Sequence, residues 1–388
     1  MLVLHGYLWA RLVRSTTRPG RVRRGLTVLT VVLALLLPLM VSGDRRLPIG
    51  VAAPLDWIAY SWLALAFYAF LALLVLEPVR WLLRLRAGRA ARAAPRGDAG
   101  AAPPDRGAAL SRRVVLSRGL ALTAGAVALG TAGTGAWIAN SPPAVRRVPI
   151  TLATLDPALD GLRIVTFSDA HLSPTYGGRR FQRVVELVNA QQPDVVAIVG
   201  DLVDGELSEL RGEVAPLADL ASGQGVYFVT GNHEYFVDTR AWLRHLPTLG
   251  IDVLRNERVE IRRGTAAFDL AGIDDRTAAS SGIPGQGADL DAALDGRDES
   301  RPVVLLAHQP VQVEQARARG VDLQLSGHTH GGQLWPFDYV VRLDQPAVEG
   351  WSRQGPTQLY VTPGVGFWGP PVRVGARPEV TVIELRAP

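Results

Sequence analysis

Five short segments of this sequence gather carboxylate, amide and imidazole side chains in close order: Ser168-Asp169-Ala170-His171, Gly200-Asp201-Leu202-Val203-Asp204, Gly231-Asn232-His233-Glu234, Ala307-His308-Gln309-Pro310, and Gly327-His328-Thr329-His330-Gly331-Gly332. Five of the seven histidines fall in these segments, each beside Gly or another potential ligand. Cysteine is absent, so disulfides, thiolate metal sites and cysteine nucleophiles are excluded. Any metal must be held by imidazole, carboxylate and amide groups, a donor set that suits Mn, Fe or Zn. Asp-x-His and His-x-His on an extended loop project alternate side chains, so both members can reach one metal cluster. Two metals about 3.5–4 Å apart clamp a phosphoryl group and activate a bridging hydroxide for in-line attack. A carboxylate between them neutralises charge and fixes the spacing, the role expected of Asp201. The leaving oxygen then needs a proton, and His233, beside Asn232, is the candidate general acid.

Each segment alone has a plainer explanation. An Asp after a strand is ordinarily a helix cap or turn residue, and Gly-Asp and Gly-Asn are common turns. What argues against separate explanations is position. From Leu162 onward, short apolar runs alternate with amphipathic stretches, with strands expected at 162–167, 195–199, 226–230, 303–307, 321–325, 359–362 and 379–384. Helices are expected at 179–191, 208–221, 238–248 and 310–319. Alternating strands and helices imply an α/β domain, and near-continuous apolar strands imply a sheet covered on both faces. All five polar segments then follow directly on strands, where open α/β sheets place their ligands.

These motifs resemble the calcineurin-like metallophosphoesterase superfamily, whose pattern is D-x-H, G-D-x-x-D, G-N-H-D/E, a lone H and G-H-x-H. Here they read SDAH, GDLVD, GNHE, AHQP and GHTHGG, complete and in order, with the resemblance covering about residues 160–386. It implies two packed mixed sheets flanked by helices. It also implies that Asp169, His171, Asp201 and His330 bind one metal, while Asp201, Asn232, His308 and His328 bind a second. His233 would be the catalytic residue, with Asp204 and Glu234 in support. GHTHGGQLW and GVGFWGPPVRVGARPEV are similar to the membrane-tethered branch that includes YkuE-like and YaeI-like phosphodiesterases. That branch implies a phosphodiester or pyrophosphate substrate, in some relatives a lipid-linked one.

The N-terminal part is of another kind. Residues 1–149 carry 20 Arg against 5 acidic residues, whereas residues 150–388 carry 21 against 31, and the chain has no Lys. Residues 25–43 and 51–76 are each long and apolar enough to cross a hydrocarbon core of about 30 Å, and 119–139 is a weaker third candidate, either a membrane helix or a signal anchor. The basic excess belongs to these flanks and reads as membrane topology; no nucleic-acid partner is expected. Six Arg in 11–24 and ten in 80–118 put both segments in the cytoplasm. A multi-pass membrane protein with residues 150–388 outside the cytoplasm follows. Residues 1–24 look like the end of a further apolar helix, 77–118 form a basic cytoplasmic loop, and 87–110 are expected to be disordered. Ser111-Arg112-Arg113 is similar to a twin-arginine export signal. A rival reading, a membrane sensor or scaffold that keeps the metal fold without turnover, would be expected to lack a ligand or the catalytic His, and neither is missing. A transporter would need ionisable groups within the spans, where only Asp56 occurs, close to an edge.

Overall fold

The computed structural model describes residues 1–43, 49–93, 106–173 and 176–388. The chain divides into two compact units, Met1–Gly135 and Ala136–Pro388.

In the first unit, helix α1 (Leu2–Leu8) passes into a π-helical stretch, Trp9–Arg14, and is followed by α2 (Arg21–Gly43), α3 (Ile49–Ala93) and most of α4 (Arg106–Asn140). α2, α3 and α4 are each long and apolar enough to cross a membrane, and they contain the segments expected to do so. Polar contacts fasten α1 and the π-helical stretch to α3. The Trp62 indole donates to His5 Nε2 at 2.9 Å, and Glu77 meets the Tyr7 hydroxyl at 2.9 Å and Arg11 at 2.7 Å. The basic stretch differs from expectation. Residues 77–93 and 106–118 are helical, which corrects the disorder expected at 87–93 and 106–110; residues 94–105 lie outside the described residues. Ala, Leu and Arg are among the strongest helix formers, so each helix runs on past its apolar part.

The second unit is built from two six-stranded sheets flanked by helices, as expected for the fold class. In chain order it contains β1 (Ala144–Thr151), β2 (Arg163–Phe167), α5 (Gly178–Asn189), β3 (Val195–Val199), α6 (Leu207–Val214), β4 (Val226–Val229), α7 (Thr239–His245), β5 (Asp252–Val253), β6 (Glu257–Arg263) and β7 (Ala266–Gly272). It continues with α8 (Leu290–Leu294), β8 (Val303–Leu306), α9 (Val313–Ala318), β9 (Leu323–Ser326), α10 (Asp338–Val341), β10 (Gly350–Gln354), β11 (Thr357–Val361) and β12 (Glu379–Arg386). One sheet runs β1-β12-β2-β3-β4-β5 and the other β10-β11-β9-β8-β7-β6. β2, β3, β4 and β5 are mutually parallel, as are β7, β8, β9 and β11, and antiparallel pairs make both sheets mixed.

Strand β3 shows why its sequence lacks alternation. Val195, Ala197 and Val199 face the second sheet, packing with Phe268, Leu306 and Leu325. Val196 and Ile198 point the other way, towards Phe181, Val184 and Val188 of α5. With both faces buried, every position is apolar. Proline truncates the expected helices. Near Pro216 and Pro247 the α-helical turns give way to 3-10 turns at Ala215–Asp219 and Leu246–Leu249, because proline lacks the N–H that would continue the ladder. The parallel strands all deliver their C-terminal ends on one side, and the ligand segments begin there.

Candidate metal centre

Three strands of one sheet and two of the other end at the same place. β2 leads into Asp169 and His171, β3 into Asp201 and Asp204, and β4 into Asn232, His233 and Glu234; β8 leads into His308, and β9 into His328 and His330. The backbone ladder continues past the strands, with the amide of Asp169 donating to Gly200 O and that of His171 to Asp201 O, both at 3.1 Å. After β11, the amides of Val365 and Gly366 donate to Ser168 O and Asp169 O, closing the loops from the other sheet.

The resulting donor atoms form three overlapping groups: Asp169, His171 and His330; Asp201, His308 and His328; and His171, Asp201 and His233. Within each, the ligand atoms lie within 4.8 Å of one another. Nε2 of His330 is 2.9 Å from Nε2 of His171 and 3.4 Å from Oδ1 of Asp169. Oδ2 of Asp201 lies 3.1 Å from Nε2 of His308 and 3.8 Å from Nε2 of His171, so this carboxylate stands between the first two groups. Among the described residues, Oδ1 of Asn232 is buried without a hydrogen bond, although buried polar atoms nearly always find one. Imidazole, carboxylate and amide donors aimed at common points fit metal ions.

Backbone conformation carries the same signature. Asp169, His171, Asp201, His328 and His330 all take positive φ, between 45° and 71°. These five are among only eight such non-glycine residues described, and such strain persists where the surroundings over-determine it. Close approach of the loops requires glycine at two points. A Cβ on Gly200 would stand 2.6 Å from Nδ1 of His308, and one on Gly327 would collide with Ser168 Oγ and Oδ2 of Asp169.

Second contacts orient these side chains. Nδ1 of His308 donates to Val199 O at 2.8 Å, leaving Nε2 to face the centre. Oδ1 of Asp204 accepts from Nδ1 of His171 at 2.8 Å and from Nδ1 of His233 at 2.7 Å. The buried Glu234 carboxylate accepts from the amides of Gly231, Asp201, Leu202 and Val203 at 2.6–3.3 Å. Burial, and then the charge of Asp201, push Glu234 up to about 7 in spite of these bonds. Burial opposes charge on His233 too, but Asp201 and Asp204 prevail and raise it to about 9. Burial and the neighbouring charge of His308 hold His328 down, to about 3.

Every residue expected at the site is gathered within these loops, and His245 is not: it lies on α7, bonded to Thr248. One residue escaped the sequence reading. Arg373 is fully buried and forms no salt bridge among the described residues; it donates to the carbonyls of His330, Pro363 and Gly366, and Nη2 reaches Nδ1 of His330 at 3.1 Å. In a chain whose basic residues are all Arg, nothing in composition singles it out. Burial, and then the Arg373 charge, hold His330 well below its usual pKa and keep the ring uncharged. The guanidinium bond at Nδ1 fixes the orientation of the ring, with Nε2 towards His171.

Residues 162–332 match the family model described as calcineurin-like phosphoesterase. A metallophosphoesterase of Helicobacter pylori is 36% identical over 277 residues, covering 71% of this chain and 72% of the relative. The metallophosphoesterase YkuE of Bacillus subtilis is 32% identical over 293 residues, 72% of this chain and 98% of that one. The chain belongs to the calcineurin-like phosphoesterase family. A transmembrane protein with metallophosphoesterase domain from Danio rerio is more similar still, 43% identical over 255 residues, 64% of this chain. The matched region spans 58% of that relative's length.

Because Arg373 fixes the far side of His330, Arg373→Gln should weaken metal binding by about 10–100-fold while the far-ultraviolet spectrum stays unchanged. Titration of the metal-free protein with Mn or Zn reads the affinity. An unaltered affinity would show that Arg373 serves packing alone.

Proposed function

We propose that the second unit hydrolyses a phosphodiester or pyrophosphate bond at a two-metal centre. The observation that carries this reading is the pair of ligand groups, Asp169–His171–His330 and Asp201–His308–His328, with Asp201 standing between them. Asp169, His171, Asp201 and His330 would hold one ion, and Asp201, Asn232, His308 and His328 the other; Mn, Fe and Zn all suit these donors. When bound, two such ions supply Lewis acidity to the phosphoryl oxygens and lower the pKa of an attacking water.

The protein supplies the rest. Asp201 offsets positive charge from both sides. His233 is held by Asp204 at Nδ1, so Nε2–H is the proton it can give to the leaving oxygen. Phe236 and Trp368 meet its ring edge-on at 5.2 and 5.9 Å. Glu234 ties Gly231, next to Asn232, to the loop that carries Asp201, which fixes His233 relative to the ligands. A lipid-linked phosphoester suits a domain that follows three membrane-length helices. The Arg-rich flanks favour a multi-pass arrangement with residues 150–388 outside the cytoplasm.

Metal analysis of the reconstituted protein should give two ions per chain, and Asp201→Asn should lower occupancy of both; one ion or none in the unmodified protein sinks the two-metal assignment. His233→Ala should cut turnover of a diester by about 10²–10⁴ with metal retained, whereas His328→Ala should lose metal as well. Equal metal loss in the two variants makes His233 a ligand instead of an acid. Removing a carboxylate partner lowers the pKa of an imidazolium, so in Asp204→Asn the alkaline fall in kcat should begin at lower pH than in the unmodified protein. A pH profile that does not move separates Asp204 from the proton donor. Finally, protease added to intact cells should digest residues 150–388. Protection until lysis would place the domain in the cytoplasm and move its substrates to the inner leaflet or cytosol.

A further inference from the structure

Large apolar side chains exposed to solvent are unevenly placed on the second unit. Trp335, Phe337, Tyr339, Val340 and Leu343 fall within nine residues, around the short helix α10. Tyr339 is 64% and Leu343 85% exposed. The segment begins three residues after Gly332, at the end of the loop that carries His328 and His330, so it lies beside the metal centre. Gln333 joins it to the other side of the opening: its amide donates to Trp368 O at 2.9 Å and accepts from the Trp368 amide at 3.0 Å. Trp368 is itself 57% exposed, and its ring edges onto His233. The exposed apolar residues therefore form one margin running from α10 to the proposed proton donor.

A single exposed Leu needs no explanation, but a contiguous group of this size marks an interaction surface. Its composition, Trp, Phe and Tyr with Leu and Val, is that of side chains that settle at the boundary between headgroups and acyl chains. The chain also supplies the membrane. α4 is membrane-length and ends at Asn140, and β1 starts at Ala144, so three residues separate an apolar helix from the catalytic unit. Tethering on so short a link makes docking to the bilayer effectively intramolecular, and a modest patch then suffices.

We propose that the Trp335–Leu343 segment is a membrane-docking surface that seats the opening of the metal centre against the lipid headgroups. The docking follows from the surface itself; only its use, presenting a bilayer-borne phosphoester to His233, rests on the phosphoesterase reading. The segment works as an interfacial anchor. Its side chains enter the boundary region, and the phosphate of a lipid in the same leaflet meets the centre without leaving the membrane.

The absence of cysteine makes the test clean. Leu343→Cys, and as a control Glu299→Cys in the exposed loop before β8, at the opposite end of that strand from His308, each give the full chain one attachment point for an environment-sensitive fluorophore. The labelled proteins are reconstituted into vesicles of phosphatidylcholine and phosphatidylglycerol, with and without doxyl-labelled lipid. At 343, emission should shift to the blue and fall about twofold or more with doxyl lipid, with no change at 299. Equal emission and quenching at the two positions would overturn the proposal. So would a shift at 343 that follows protein density and ignores doxyl lipid, since that marks contact between copies or with another protein. In a second arm, Tyr339→Ser with Leu343→Ser should leave hydrolysis of a soluble aryl phosphodiester unchanged and slow turnover of a vesicle-embedded phosphoester about tenfold. If the unmodified chain hydrolyses neither substrate, the phosphoesterase reading fails, while the fluorescence result decides the docking on its own.

Discussion

One buried carboxylate holds the centre in register. Glu234 takes four backbone amides, one from its own turn and three from the loop after β3. Those amides would otherwise be orphaned in a dry interior, at a cost of about 1–3 kcal/mol each. The loops after β3 and β4 are therefore not independent: Asp201 cannot move without the turn that carries Asn232 and His233. The other sheet reaches the same point differently, through His308 anchored on Val199 O and through the Asp169 carboxylate, which accepts the amide of His328 at 3.0 Å. A candidate ligand aspartate thus doubles as a clamp between sheets.

The left-handed backbone at five candidate ligand residues is the geometric counterpart. An extended strand puts residues i and i+2 on one face but about 6.6 Å apart, too far for both to meet one ion unless the chain turns. Turning the backbone at Asp169, His171, Asp201, His328 and His330 aims their side chains at a shared centre. The strain is tolerable because the strands behind are buried on both faces, and because Gly200 and Gly327 let neighbouring loops approach to a distance no side chain would permit. Stability of the scaffold and precision of the site come from the same parallel ladders.

The sequence showed the site more fully than the sheets. The buried parallel strands β2, β3, β4, β8 and β9 were legible because burial on both faces leaves continuous apolar runs. Edge strands were not. β1 and β6 carry Arg, Glu and Pro, and β10 carries Arg and Gln, the polar residues that keep open sheet edges from pairing with other chains. Such composition reads as loop. β7 is buried but rich in Ala and Gly, so it lacks the branched side chains by which strands are recognised. The candidate ligand residues stood out because their types recur at strand ends; Arg373 did not, since its contacts are to carbonyls of residues distant in sequence.

The shared oxygen of Asp204 has a consequence for timing. Two imidazoles compete for the electron density of one atom, His171 from the ligand side and His233 from the side of the proposed acid. Whatever draws positive charge onto His171 strengthens its claim on that oxygen and slackens the grip on His233. The readiness of one ring to release a proton is thereby set by what its neighbour holds. On the proposed reading, ions held at the candidate ligand site would make His233 the stronger acid.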